Sequence, residues 1–516
     1  MTTPAVPRVI LGLDVGTTGT KAVAFAVGST WRQVAVREYP LLQPAPGQQV
    51  QDPDLVMAAA EGALAECVAA ATDAEVVGIS ISTAMHGLIG LDAEHRPLTP
   101  LLTWADARAG AQAAALRASG QAAELQRRTG TPVHPMTPLT KLMWFHQDDP
   151  QTAAAVRWWL GLKDYVVWRL TGTLVTELSS ASGTGLLDLA TRDWDPTAVA
   201  LSGARVDQLP PVRPTTDHLG LSAVTAGRLG LAAGTPVVLG AGDGPLGNLG
   251  TGALAPGVAG LSLGTSGAIR MVVPAPPADL DAALFCYALT DERWVVGGAV
   301  SNGGIVERWA GTALVPDLVA AAGSTAADEA VLDLAASVSP GSDGLVMLPY
   351  LLAERAPLWD PDLPGAYLGL RRGHTRAHLV RAAVEGVCLQ LSTILDRLDR
   401  LQPVTAVRVT GGVFRSPLWR DVLAAVLDRP LHLVGTEEGT ARGAAALGLF
   451  ALGLASDLES ALALLPDPAA DDAAQVTADP ALVEAYRSTR AAIPGLIEGL
   501  VPVAELFGRP HDSDRS

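Results

Sequence analysis

A strand, a glycine turn with two hydroxyl residues and a second strand occur twice in this chain with the same internal spacing. Any fold for it must accommodate both copies. The first is Asp14-Val-Gly-Thr-Thr-Gly19 and the second Ser262-Leu-Gly-Thr-Ser-Gly267. In the first, the apolar run Val9 to Leu13 precedes the acid, and Lys21 leads into a second apolar run, Ala22 to Val27. Two β-rich runs about a short glycine turn read as a β-hairpin. Glycine lets backbone approach a ligand closely, and successive turn N–H groups can cradle an anion. Thr17, Thr18 and Lys21 add donors, and Asp14 is placed to hold a hard cation, directly or through water. An ordinary glycine hairpin with a strand-end acid is the alternative. Ser262 stands where Asp14 stands, so only the first copy carries the acid. Repeats this far apart indicate duplicated domains rather than solenoid units.

Two domains also follow from length, since 516 residues exceed one core. Half the chain is hydrophobic, and the net charge is −17. That charge disfavours nucleic acid and anionic membranes as partners. Lysine occurs only at 21, 141 and 163. Cys67, Cys286 and Cys388 are scattered with no metal spacing, which fits a reducing cytoplasm. Met1 to Arg8 has no apolar core of signal-peptide length. Leu249 to Ile269 is charge-free, but its glycines and Pro256 break any spanning helix, so it reads as strand and turn. Gly443 to Ser456 reads as a buried helix.

After the hairpin, Trp31 to Leu42 continues a meander, and Gln43 to Pro53 is a loop. Asp54 to Ala71 has helical spacing with an Asp cap, and Val76 to Ser82 is an apolar strand. The order β-β-β-α-β is the core of the actin-like, ribonuclease-H-like ATPase fold. Polar site residues tend to sit in loops at strand ends. Ser82 to Gly87, with Met85 and His86, is one such loop. Trp104, Asp106 and Arg108 alternate, so they share a face if extended, suiting a polyhydroxylated ligand; a surface loop with one salt bridge is the alternative. Trp158 to Leu170 reads as a helix before a Gly172 turn. Pro236 to Ala241 is a strand ending in Gly242-Asp243-Gly244, either a ligand-facing acid or a simple turn. In the second half, Trp294 to Val300 is a strand before Gly304 and the helix Ile305 to Ala310. Thr375 to Asp399 is a long helix; His374 and His378, at i, i+4 about its start, lack a third metal ligand. Val404 to Thr410 is a strand running into Gly411-Gly412, with a helix from Ser416 to Leu427 and a glycine-rich helix entry from Thr436 to Ala445.

With these elements in place, the sequence resembles the FGGY carbohydrate kinase family from about Val9 to Leu454. The second-lobe signature appears as Gly365-Ala-Tyr-Leu-Gly-Leu370 followed, after a spacer, by His378-Leu379 and Ala382 through Glu385. Within the family, the stretches around Ala84-Met-His86, Thr103 to Arg108, Gly130 to Met136, Leu160 to Asp164 and Phe285 to Thr290 are most similar to gluconate kinases. Ala107 stands where that group commonly has Asn. The resemblance implies two actin-like domains, residues 1–252 and 253–507, with an ATP and sugar cleft between them and a loose tail, 508–516. It implies Asp243 as general base, with Thr17, Thr18, Lys21, Gly264 and Thr265 on the phosphates. It also implies Asp14 on Mg²⁺; Gly304, Gly412 and Ser416 near the nucleoside; and Met85, His86, Trp104 and Asp106 lining the sugar site. The expected reaction is ATP-dependent phosphorylation of a terminal hydroxyl of a sugar acid, D-gluconate first, with xylulose or another pentulose or polyol as the alternative acceptor. An actin- or Hsp70-like ATPase shares the hairpins but has no need of Asp243 or the Met85–Arg108 loops. A Walker-type kinase is disfavoured because no GxxxxGK[ST] occurs. Arg108, His134, Lys141 and Lys163 are the cations available to meet a sugar carboxylate. The partner is a small sugar or sugar acid, with no nucleic acid and no membrane; a homodimer is left open.

Overall fold

The computed structural model describes residues 6–322, 326–435, 438–465 and 475–506. The tail from 508 and the start of the glycine-rich entry at 436–437 lie outside them. The first half is built on β1 (Arg8–Val15), β2 (Gly19–Ala26), β3 (Arg32–Glu38), α1 (Pro53–Ala70) and β4 (Glu75–Thr83). After a long excursion come α2 (Leu162–Thr171), β5 (His218–Gly220), β6 (Pro236–Gly242) and α3 (Asp243–Gly250). The second half contains β7 (Val258–Leu263), β8 (Gly267–Val273), β9 (Phe285–Thr290), β10 (Arg293–Val300), α4 (Gly304–Leu314) and α5 (Arg376–Leu401). It continues with β11 (Ala406–Thr410), α6 (Pro417–Leu427), β12 (Leu431–Leu433), α7 (Gly439–Ala451), β13 (Gln475–Val476) and α8 (Pro480–Leu506).

The sheets carry the duplication. The first has strand order β5-β6-β4-β1-β2-β3, and the second β9-β10-β8-β7-β11-β12-β13. In each, a hairpin (β1/β2 or β7/β8) extends an antiparallel edge on one side and receives a parallel strand on the other. Parallel partners need a crossover, and α1 and α5 supply it. The equivalence holds residue by residue: Asp14 pairs with Ser82 on β4, and Ser262 pairs with Thr410 on β11. α1 is capped by Asp52, whose carboxylate accepts from the N–H of Asp54 and Leu55, two residues before the expected start. The stretch from Trp158 is not one helix. Trp158–Leu160 is a short strand against Ile89–Leu91, and Gly161 separates it from α2, which ends on the left-handed Gly172. Three large apolar residues in a row satisfy either period, and the glycine breaks the helix. α5 is the described helix long and apolar enough to cross a membrane, and it is buried in the second-half core.

The halves are joined where glycine leaves backbone uncovered. α7 lies against β1 and α3 of the first half. A Cβ at Gly443 would stand 2.0 Å from the Leu246 carbonyl oxygen, one at Gly250 1.8 Å from that of Gly439, and one at Gly12 2.2 Å from that of Ala441. These neighbours are backbone and cannot rotate away. Gly443→Ala is therefore expected to destabilise the protein by ~1–3 kcal/mol or more through overpacking. Gly495→Ala on α8, where an added Cβ meets nothing within 4 Å, should be neutral or slightly stabilising. Denaturant unfolding of the two variants checks the contrast; equal stabilities would contradict it.

Candidate active site

Strand alternation aims the first acid. Val9, Leu11, Leu13 and Val15 pack into the core shared with α1, so Ile10, Gly12 and Asp14 take the opposite face, toward α7. Lys21, directly across the hairpin from Asp14, shares that face. Ser82 donates its hydroxyl to Asp14 Oδ1 at 3.0 Å. Burial first, and the charge of Asp243 second, push the Asp14 carboxyl up to about 6, against Ser82, Lys21 and Lys163. The turn itself is held from behind. Tyr39 donates its hydroxyl to the Gly16 carbonyl at 2.7 Å, and Gln51 Nε2 donates to that of Thr17 at 2.5 Å.

Asp243 is not in a tight turn. It is the first residue of α3, immediately after β6, and its Oδ1 accepts from the Gly244 N–H at 2.7 Å. Burial raises its carboxyl; Arg270, the N–H groups of Gly244 and Met85, and Arg355 oppose the rise. Asp243 faces a cavity of about 190 Å³ between the halves. The first half contributes Met85, His86, Trp104 and Met136; the second contributes Ser262, Ser266, Arg270, Tyr287, Arg355 and Trp359.

His86 adopts a left-handed backbone (φ 65°), uncommon for a residue with a side chain. Its Nδ1 lies 2.7 Å from the Gly183 carbonyl, so Nδ1 carries the proton and Nε2 is left as an acceptor. Burial holds the ring neutral, with its pKa near 3. Trp104 donates Nε1–H to Thr17 Oγ1 at 2.8 Å, linking the cavity wall to the first hairpin. The Arg355 guanidinium lies over its ring at 5.1 Å.

The second hairpin is stapled to α4. The Gly304 N–H donates to the Gly264 carbonyl at 2.7 Å, and Arg308 Nη2 donates to Thr265 Oγ1 at 2.6 Å. An added Cβ at Gly304 would meet Gly264 and Val413 at 3.0 Å, and one at Gly411 would stand 2.0 Å from the Leu263 carbonyl oxygen. Gly264, Thr265, Gly304 and Gly412 thus converge beyond the ends of β7 and β11, with Ser416 entering α6 beside them. No atom lies within 4 Å of a Cβ built on Gly264 or Gly412.

Several expected residues lie elsewhere. Trp104 to Arg108 is a turn, not an extended segment. Asp106 does not reach the cavity: it is fully buried, bonded by Arg108 through Nε and Nη2, both at 2.8 Å, and by the Gln49 N–H at 2.9 Å. It orders the loop that presents Trp104. None of the four cations considered for a carboxylate lines the cavity. Arg108 is held by Asp106. Lys141 Nζ clamps the carbonyls of His86 (2.8 Å) and Thr103 (2.6 Å). Lys163 Nζ bonds those of Ile81, Leu239 and Ala241. His134 is kept neutral by burial. The cavity's cations are Arg270 and Arg355, which sequence reasoning missed. Arg355 is seated by Nη2 on the Val300 carbonyl (2.8 Å) and Nε on Ser301 Oγ (3.2 Å). His374 and His378 accept backbone N–H bonds at the entry to α5, and no group of three or more His, Cys, Asp or Glu able to hold a metal occurs among the described residues. Asp14 is the carboxylate on the first hairpin that could hold a hard cation.

The raised Asp14 pKa has a stability consequence. The folded state holds this proton between about pH 4 and 6, where the unfolded state has lost it, so stability falls as pH rises through that window and stays reduced above it. In metal-free buffer at pH 7.5, Asp14→Asn is expected to be more stable than wild type by ~1–3 kcal/mol. The gain should vanish near pH 4; a pH series of thermal unfolding checks it.

The N-terminal domain of the FGGY family of carbohydrate kinases matches residues 9–250, and its C-terminal domain matches residues 259–452. The gluconokinase of Bacillus subtilis (strain 168) is 38% identical over 449 residues, covering 86% of this chain and 88% of that protein. The xylulose kinase of Escherichia coli (strain K12) is 30% identical over 465 residues, covering 88% and 92%. The crystal structure of gluconate kinase from Lactobacillus acidophilus superposes with a TM-score of 0.90 at 32% identity, covering 97% of this chain and all of that one. The ligand-bound xylulose kinase of the same organism gives 0.89, also at 32% identity.

Proposed function

This chain belongs to the FGGY family of carbohydrate kinases and is a sugar-kinase phosphotransferase, and we propose that it transfers the γ-phosphoryl group of ATP to the terminal hydroxyl of D-gluconate. One observation carries the reading: Asp243 and two arginines share a cavity walled by both halves, beside the hairpin that carries Asp14.

Phosphoryl transfer requires positioning and charge neutralisation more than covalent assistance. Asp243 is the base, taking the proton of the acceptor hydroxyl, and Arg270 and Arg355 favour its ionised form. Met85, His86 Nε2 and Trp104 orient the sugar. Thr17, Thr18 and Lys21 from the first hairpin and Gly264-Thr265 from the second bind phosphate, while Gly304, Gly412 and Ser416 border the nucleoside. Mg²⁺ bound through Asp14 would neutralise phosphate charge. Domains at 1–252 and 253–507, a cytoplasmic setting and a small-molecule partner complete the proposal. The second reading, a xylulose kinase, is favoured by the near-equal structural match to xylulose kinase. The gluconokinase relatives and a cationic cavity in a protein of net charge −17 favour the acid.

Coupled ADP-release assays over D-gluconate, D-xylulose, L-ribulose and glycerol test the acceptor. Turnover should be greatest on gluconate; preference for xylulose would reverse the order. Asp243→Asn should lower kcat by ~10²–10⁴-fold while gluconate and ATP still bind, since it removes only the base. Near-normal kcat would refute that role.

A further inference from the structure

Two buried polar groups in the cavity have no protein partner. Arg270 Nε and the Tyr287 hydroxyl are each enclosed and unbonded. Arg270 makes one weak side-chain bond among the described residues, Nη1 to Ser262 Oγ at 3.3 Å. A guanidinium whose enclosed Nε has no partner calls for an explanation. The sheet builds the arrangement deliberately. Arg270 on β8 lies opposite Gly297 on β10, and Gly297 pairs on its other side with Phe285 on β9. A Cβ at Gly297 would stand 2.3 Å from the Ile269 carbonyl oxygen, 2.9 Å from Arg270 Cα and 3.0 Å from Arg270 Cγ, so a side chain there would crowd both the neighbouring strand and the base of the arginine. The Phe285 and Tyr287 rings stack at 4.4 Å and 4°, fixing the hydroxyl.

We propose that Arg270 and the Tyr287 hydroxyl, with Arg355 beside them, bind the carboxylate of an aldonic acid and select acids over neutral sugars. The assignment rests on the sugar-acid reading above and adds the residues that make the choice. A carboxylate is planar with two acceptor oxygens and matches a guanidinium fork. It would satisfy both orphaned donors at once. A neutral sugar's hydroxyl could bond them but would bring no negative charge to two cations that otherwise face Asp243 and, at Arg355, Glu354. The competing claimant for Arg270 is the transferred phosphoryl group, since an added Cβ on Gly244, next to Asp243, would stand 3.4 Å from Arg270 Nε and Nη2.

Steady-state kinetics with D-gluconate and ATP separate the two. A ground-state carboxylate contact predicts that Arg270→Met raises the gluconate KM roughly 30–100-fold, lowers kcat less than tenfold and leaves the ATP KM within about threefold. Arg270→Lys should recover part of the loss. Tyr287→Phe, which keeps the stacked ring and the fold, should raise the gluconate KM about five- to twentyfold on the same grounds. A hundredfold loss of kcat with an unchanged gluconate KM would assign Arg270 to the phosphoryl group and overturn the proposal. An unchanged gluconate KM in Tyr287→Phe and Arg270→Lys would also overturn it. Should Arg270→Met not fold, those two variants decide. Wild-type enzyme inactive on every aldonic acid tested would instead defeat the sugar-acid reading itself.

Discussion

Asp14 and Asp243, each half-buried, lie close enough that the charge of Asp243 raises the Asp14 carboxyl, and the surrounding architecture holds that costly pair in place. Two nearby carboxylates partly withdrawn from solvent oppose each other's ionisation. The first half opposes this with Lys21 across the hairpin and with Lys163, anchored on the carbonyls of β4 and β6. The second half supplies Arg270 and Arg355. Neither half alone assembles that balance of charge. The cleft therefore depends on the glycine contacts that bring α7 and α3 into backbone contact. A divalent cation arriving with the nucleotide would relieve the same repulsion. Ligand binding and lobe packing thus act on one electrostatic problem.

What was legible in the chain was whatever local pattern determines. The hairpins could be read because apolar alternation, turn glycines and hydroxyls occur within a dozen residues, and because the pattern recurs. Alternation fixes only the face that Asp14 and Ser262 take; their pairing with Ser82 and Thr410 is a tertiary feature seen in the sheets. Asp243 was visible as an acid at a strand end, although its position at the start of a helix was not. Its side chain still faces the cavity, since strand direction and the following helix, not turn type, set its aim.

The rest depended on tertiary approach. Arg270 is one arginine among many in the chain, and its place in the cavity depends on a pairing with Gly297, 27 residues on, that no local pattern marks. Arg355 is positioned by Val300 and Ser301, far from it in the chain. The rare lysines attracted notice, but burial makes Lys141 and Lys163 clamps on backbone carbonyls. Asp106 sits in a motif that reads as a sugar face when extended; a turn instead closes it on Arg108. Trp158 to Leu170 was ambiguous because three consecutive bulky apolar residues suit a buried strand as well as a helix.

The electrostatic account is tested most directly by counting protons. Calorimetric titration of MgADP into the enzyme at pH 6, repeated in buffers of different ionisation enthalpy, gives the protons released on binding. Asp14, with its pKa near 6, is about half protonated there, so wild type should release roughly half a proton more than Asp14→Asn. Equal proton release from the two proteins would mean that Asp14 does not change its ionisation on binding, and the charge balance described for the cleft would be wrong.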